Sequence, residues 1–302
     1  MTTHTPARTV DRLMILMAAF LFSTGGAAIK MTSMTGWQVA SLRSGIAALV
    51  LLVFLPAARR GWSWRTWLVG SAYATTMVTF VLGNKLTTAA NQVFLQSAAP
   101  IYLLVLGPLL LKERVDRRQL WFLAALAAGM WMILAGNQPA SATAPDPFRG
   151  NLIGLVTGIF WALTIVGLRW LGRERSGDEA AVTAPAAVVC GNVLACLAAL
   201  PFARPFSGAA AGDWAVVTFL GIFQIAVAYM FILSGVRRIG ALEVSLLVLL
   251  EPVFSPVWAW LLHGERPASL ALLGGAVIVV ATAIYTWRGE RSADAEQVNS
   301  DQ

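Results

Sequence analysis

Long apolar runs of about twenty residues, separated by short polar or basic segments, fill most of this chain. Ten can be read: 12–30, 37–55, 66–83, 89–111, 119–136, 150–170, 181–200, 213–235, 241–262 and 269–287. The hydrocarbon core of a bilayer is ~30 Å thick and takes about 20 residues of helix to cross. Barrel strands would show shorter runs with inside–outside alternation, and that alternation is missing. The pattern predicts an all-α membrane protein with ten transmembrane helices. The start, "MTTHTPARTVDRLMILMAAFLFSTGGAAIK", begins like a signal peptide. It lacks a convincing cleavage site and many spans follow it, so a retained first helix is expected.

Composition sharpens this picture. Hydrophobic residues make up 58% of the 302 and charged residues 12%, against about a quarter charged in soluble domains. The mean hydropathy is +0.70. A net charge of +7 would point to nucleic acid in a soluble protein. Here the basic residues flank apolar runs, as topology signals do, so the expected partner is the lipid bilayer and no nucleic acid. Of the 22 Lys and Arg, Arg43 falls inside a span and Lys30, Lys85, Arg149, Arg204 and Arg266 fall on one side. The other sixteen fall on the opposite side. The positive-inside rule then puts both termini in the cytoplasm. Cys190 and Cys196, six apart in one apolar run, point to different helix faces and read as small core residues rather than a disulfide or metal pair.

The two halves of the chain repeat. "PIYLLVLGPLLLKERVDRRQLW", from Pro100, aligns with "PVFSPVWAWLLHGERPASLALL", from Pro252, so that Glu113 meets Glu265 and Arg114 meets Arg266. Pro56 and Pro201 each close the second span of a half. Five spans per half is an odd number, so the second copy must enter the membrane from the opposite side. Two inverted five-helix repeats form a transporter architecture with its site near the midplane. The expected layout is a cytoplasmic tail 1–11, a repeat 12–136, an external linker 137–149, a repeat 150–287 and a disordered cytoplasmic tail 288–302.

These stretches carry a family resemblance. "P…LLLKERV", "EPV…AWLLHGERP", an early "AAFLFSTGG" and the arginine-bearing "VASLRSGIAALVLLVFLP" together resemble the EamA-type branch of the drug/metabolite transporter superfamily, over about residues 12–287. The resemblance implies a bacterial inner-membrane, multi-pass exporter of amino acids, related metabolites or drugs, with neutral and aromatic amino acids favoured. His263 departs from the pattern, standing where the family often has an apolar residue, and its role is left open.

Glu251 lies ten residues into its run and therefore near the midplane. An acid at that depth costs roughly 2.5–3.5 kcal/mol on insertion scales and must face protein or water. It is a candidate proton site or partner for a substrate amine. The structural alternative is a neutral acid bonded to carbonyls freed by Pro252 and Pro256. Its repeat partner is Ala99, and Gln96 and Gln92 precede Ala99 on one helical stripe, so Gln92, Gln96 and Glu251 are candidate cavity residues. Interhelical hydrogen bonding is their alternative role. Tyr102 and Tyr229 combine ring and hydroxyl, and Trp161 is mid-span; these three complete the candidate cavity. Arg43 lies ~9 Å inside the outer end of its span at 1.5 Å per residue. It, Asn84 and Lys85 are assigned to gating or to the outer mouth, with carboxylate binding a further role for Arg43 and snorkelling its alternative. Trp62, Trp64 and Trp67 read as an interfacial belt, and Gly154 and Gly158 as a close-packing GxxxG pair.

No GxxxxGK[ST] or HExxH motif occurs, and His4 and His263 are the only histidines. ATP-driven pumping, metalloprotease chemistry and cofactors are not expected, and the protein is not read as an enzyme. A channel is the nearest rival; the inverted repeat and the prolines beside Glu251 favour alternating access. The reading is a secondary transporter of small amphipathic metabolites, with proton coupling through Glu251 open, acting as a monomer or weak homodimer.

Overall fold

The computed structural model describes residues 6–106, 117–136, 139–173, 178–206, 208–235 and 241–300. The first apolar run forms α1 (Pro6–Ser23) and the short α2 (Gly25–Met31), broken at Thr24. There follow α3 (Gly36–Phe54), α4 (Trp64–Leu86), α5 (Ala89–Ser97), α6 (Ala99–Leu106) and α7 (Arg117–Ala135). Next come α8 (Pro147–Arg173), α9 (Asp178–Ala203), α10 (Ala211–Phe219), a π-helical stretch Leu220–Val227, and α11 (Ala228–Gly235). The chain ends with α12 (Ala241–Val248), α13 (Leu250–His263) and α14 (Ser269–Ser300). Among the described residues, eight helices are long and apolar enough to cross a membrane, and Leu120–Ala135 is a shorter apolar helix. The expected fourth span is described as α5 and α6 to Leu106; residues 107–111 lie outside the described residues. So does the segment Lys112–Glu113–Arg114, on which half of the Glu–Arg repeat match rests.

Local chemistry accounts for the helix limits. Thr35 caps α3 in a capping box with Gln38, Ser63 caps α4 through Thr66 N–H, and Thr88 caps α5 through Asn91 N–H. These side chains satisfy donors that the first turn leaves free. The break between α5 and α6 falls at Ala98 and that between α12 and α13 at Leu249. Pro100 and Pro252 follow closely, each lacking the N–H that would bond the carbonyl four residues earlier. At the end of α13, Gly264 takes φ +63° and its N–H bonds Trp260 O at 2.9 Å, while Glu265 N bonds Ala259 O. This is a Schellman-type stop, in which glycine adopts the left-handed turn without a Cβ penalty. The backbone of α14 stays helical to Ser300, although a disordered tail is expected from residue 288. The stretch carries Ala, Glu and Arg twice each, residues of high helix propensity.

Packing interleaves the two halves. Helices α3 and α4 of the first half lie against α8 and α9 of the second, and α7 lies against α14. Small residues permit the close crossings. A Cβ on Gly129 would lie 2.7 Å from Gly274 O, and one on Gly70 would lie 2.7 Å from the Cys190 sulfur. Gly154 seats on Leu95 and Gly158 on Leu95 O and Tyr102, so the GxxxG pair is used within the chain, against α5 and α6. Both cysteines are unpaired, as their spacing implies. The outside of the bundle carries large exposed apolar side chains, among them Leu49, Phe54, Trp131, Phe202 and Trp260. Such a surface is suited to acyl chains and not to water.

Candidate functional site

An internal cavity of about 190 Å³ lies between the helices. Arg43 from α3, Gln96 from α5, Trp161 from α8, Gln224 from the π-helical stretch, Tyr229 from α11 and Glu251 from α13 all reach it. Four of the six residues expected at the cavity, Glu251, Gln96, Trp161 and Tyr229, therefore meet there. Gln92 does not: it is fully buried, and its Nε2 donates to Thr157 Oγ1 at 3.1 Å, tying α5 to α8. The amide thus serves the interhelical alternative. Tyr102 packs on Gly158 and is not in the cavity wall.

Arg43 is the largest displacement from expectation. It stands in the wall of the central cavity and is 1% exposed, so it neither snorkels nor marks the mouth. Its Nη2 donates to Met77 O at 2.9 Å, its Nη1 to Gln224 Oε1 at 3.5 Å, and its guanidinium lies 5.6 Å from the Phe80 ring centre. These contacts replace the hydration that a snorkelling arginine would seek. Among the described residues its Nε has no hydrogen-bond partner, nor does Gln96 Oε1. Buried polar atoms left open in this way mark places where water or a ligand completes the bonding. Tyr229 stands within electrostatic reach of both Arg43 and Glu251 and pairs with Tyr73, which also receives Asn192 Nδ2 at 3.3 Å. Among the described residues no hydrogen bond or ion pair involves the Glu251 carboxyl, which lines the cavity.

Gln224 was missing from the sequence reading. A lone glutamine in the middle of the run 213–235 is the available signal, whereas Gln92 and Gln96 stand out by their spacing from Ala99, the repeat partner of Glu251. Its π-helical setting could not be read, because nothing in "LGIFQIAV" separates a widened turn from an ordinary helix.

Asn84 and Lys85 belong to a second polar layer, at the end of the bundle where α2 and α4 finish. Asn84 is fully buried and donates through Nδ2 to Phe80 O at 2.9 Å. Lys85 Nζ donates to Thr32 O at 2.7 Å, and Asp213 accepts from Ser33 N at 2.8 Å and Ser33 Oγ at 2.6 Å. These bonds tie down the loop after α2. Beside them Lys30 meets Glu265 at 3.5 Å and donates to Thr87 O and Thr143 O. The Glu265 carboxylate also accepts from Ala89 N–H, the first residue of α5, at 3.2 and 3.3 Å. An anion at a helix N-terminus is favoured by the free N–H groups and the helix dipole. Burial still lifts the Glu265 carboxyl above the ordinary carboxylate range, with Lys30 opposing the rise. His263 Nε2 stands 2.8 Å from Ala27 O, a structural contact that ties α13 to α2.

A multi-helix apolar bundle with a largely apolar cavity bearing a few polar and charged groups, and a second polar layer at one end, defines a multi-pass membrane protein of the transporter class. The EamA-like transporter family matches residues 12–135 and again 148–287, and the chain belongs to that family. Its relatives include the pseudopaline exporter CntI of Pseudomonas aeruginosa, 24% identical over 283 residues, covering 89% of this chain and 93% of that one. The threonine/homoserine exporter RhtA of Escherichia coli is 26% identical over 181 residues, 58% of each chain. A solved crystal structure superposes with a TM-score of 0.59 at 20% identity, covering 94% of this chain and 98% of the other; this likeness bears on the fold alone.

Proposed function

We propose that the protein exports small zwitterionic metabolites, most of all neutral and aromatic amino acids, across the bacterial inner membrane by alternating access. In this reading ten spans form two inverted five-helix repeats, 12–136 and 150–287, with both termini cytoplasmic. The breaks at Ala98 and Leu249 support the repeat, since they fall within one residue of each other at the 152-residue offset. The Lys30–Glu265 layer is then the outer closure.

The observation that carries the substrate class is that Arg43 and Glu251, from helices in different halves, line one cavity and do not pair with each other. A cation and an acid lining one cavity fit a carboxylate on one part of a substrate and an ammonium on another. Phe22, Phe80, Trp161 and Tyr229 line the space between and suit an apolar or aromatic side chain. A cavity of this size, below the roughly 300–1,000 Å³ of drug-sized clefts, supports a small metabolite over a drug. Glu251, with no ion-pair partner among the described residues, is the group on which proton exchange would run. Transport, not chemistry, is the activity.

Purified protein in liposomes, assayed for flux of labelled threonine, methionine and phenylalanine with and without a pH gradient, tests this. Saturable flux of at least one is expected, faster with the gradient. Flux indifferent to the gradient removes proton exchange, and absence of saturable flux for all three removes the amino-acid assignment.

A further inference from the structure

Gln224 sits where three elements meet. Its Oε1 accepts from Arg43 Nη1 at 3.5 Å, with the two residues 5% and 1% exposed. Its Nε2 lies 2.8 Å from where a Cβ on Gly25 would stand, so the amide rests on the first residue of α2. It is carried by the π-helical stretch Leu220–Val227. Gly221, on the same stretch, seats on Ile46 and on the Arg43 carbonyl. Widened π turns are rare and concentrate at functional sites, and here the turn presses one face against both Arg43 and α2.

The short helix α2 has seven residues, is separated from α1 by Thr24, and bears Lys30 in its last turn. Gly25 and Lys30 are about 8 Å apart along its axis at 1.5 Å per residue. A side chain that moves against Gly25 therefore acts on a short rod whose far end holds the ion pair with Glu265.

We propose that Gln224 is a coupling residue, linking a carboxylate at Arg43 to the Lys30–Glu265 closure. A carboxylate arriving at Arg43 takes the guanidinium N–H now given to Gln224. The released amide shifts against Gly25, α2 pivots at Thr24, and Lys30 is drawn off Glu265. This rests on Arg43 as the carboxylate anchor. Linkage makes the coupling reciprocal, so breaking the closure must change affinity at Arg43.

A double-mutant cycle on the full-length protein in detergent tests it. Phenylalanine and phenylalanine amide are titrated against wild type, Lys30→Met, Gln224→Leu and the double variant, following tryptophan fluorescence. Lys30→Met is expected to change phenylalanine affinity about fivefold or more in the wild-type background. In the Gln224→Leu background the change should shrink to within about twofold, the ordinary limit of additivity. The amide analogue, lacking the carboxylate, should show no such dependence on Gln224. Equal effects of Lys30→Met in both backgrounds overturn the proposal. Gly25→Ala reaches the same contact from the other side, and is expected to reproduce the loss of coupling with Gln224 intact; unchanged coupling in it also overturns the proposal. The same four proteins melted without ligand separate this proposal from the substrate reading. Non-additive melting shifts with no amino-acid binding would leave the coupling standing and remove the amino-acid assignment. Additive shifts would remove the coupling.

Discussion

Lys30 and Glu265 stand 3.5 Å apart with side chains 3% and 2% exposed, joining α2 near the start of the chain to the turn behind α13. Glu265 is aimed by the left-handed Gly264, whose turn brings the carboxylate onto the N-terminus of α5. One buried ion pair thus gathers three helices at one end of the bundle.

Removing a single partner should be costly. Lys30→Met leaves an anion buried and unpaired, at about 3–5 kcal/mol for a buried pair, whereas Lys30→Met with Glu265→Gln should recover most of the loss. Melting temperatures of the three variants in detergent read this directly.

The pair should also give a pH signature of defined sign. The folded-state pKa of Glu265 is raised, so the folded protein binds its proton at a pH where the unfolded chain does not. Stability therefore falls as pH rises through the interval from the ordinary carboxylate value to the raised one, and is regained as pH falls. Protonation in that interval also removes the ion pair. Melting temperature against pH should lose this component in Glu265→Gln; an identical profile in both proteins would contradict the assignment.

Arg43→Gln should weaken carboxylate-bearing substrates most. A hydrogen bond to a charged group contributes about 1.5–3 kcal/mol, so affinity for an amino acid should fall roughly 10- to 150-fold. Affinity for its amide should change far less. Arg43→Lys should restore part of the charge effect but not the bond to both Met77 and Gln224, because a point charge cannot span the guanidinium fork. Comparative binding of the acid and amide settles it.

Glu251→Gln should spare exchange of substrate for substrate and abolish acceleration by a pH gradient, since the amide cannot carry a proton. Counterflow and gradient-driven flux are measured on the same liposomes. Gradient response surviving in Glu251→Gln would assign the proton elsewhere.

Packing at the small-residue crossings is open to a simpler test. A Cβ on Gly275 would stand 2.2 Å from the Phe94 ring, whereas one on Gly212 meets nothing within 4 Å. Gly275→Ala should cost about 1–3 kcal/mol by overpacking, and Gly212→Ala should be neutral or stabilising through better helix propensity. Thermal melts of both compare the two sites.

What the linear chain decided by itself is where the long apolar helices lie, though not their breaks at Thr24, Ala98 and Leu249. In hydrocarbon each segment must satisfy its own backbone hydrogen bonds, so length and apolarity are local properties that a reader can count. Caps at Thr35, Ser63 and Thr88 and stops at Pro56 and Gly264 are equally local. Glu251, Gln96 and Tyr229 were legible as cavity candidates because a polar side chain in an apolar run must find protein or water. Which neighbour it finds is not local. Helix α3 is apolar nearly all round, so no stripe on it announces that Arg43 turns inward, and depth along the run placed it at a mouth. Gln92 and Gln96 look alike in the chain, yet one binds Thr157 and the other faces the cavity. The widened turn under Gln224 and the meeting of Lys30 with Glu265, 235 positions apart, depend on how helices from both halves pack. Only the tertiary structure decided those, because side-chain partners in a bundle are chosen by contact between helices and not by position along one.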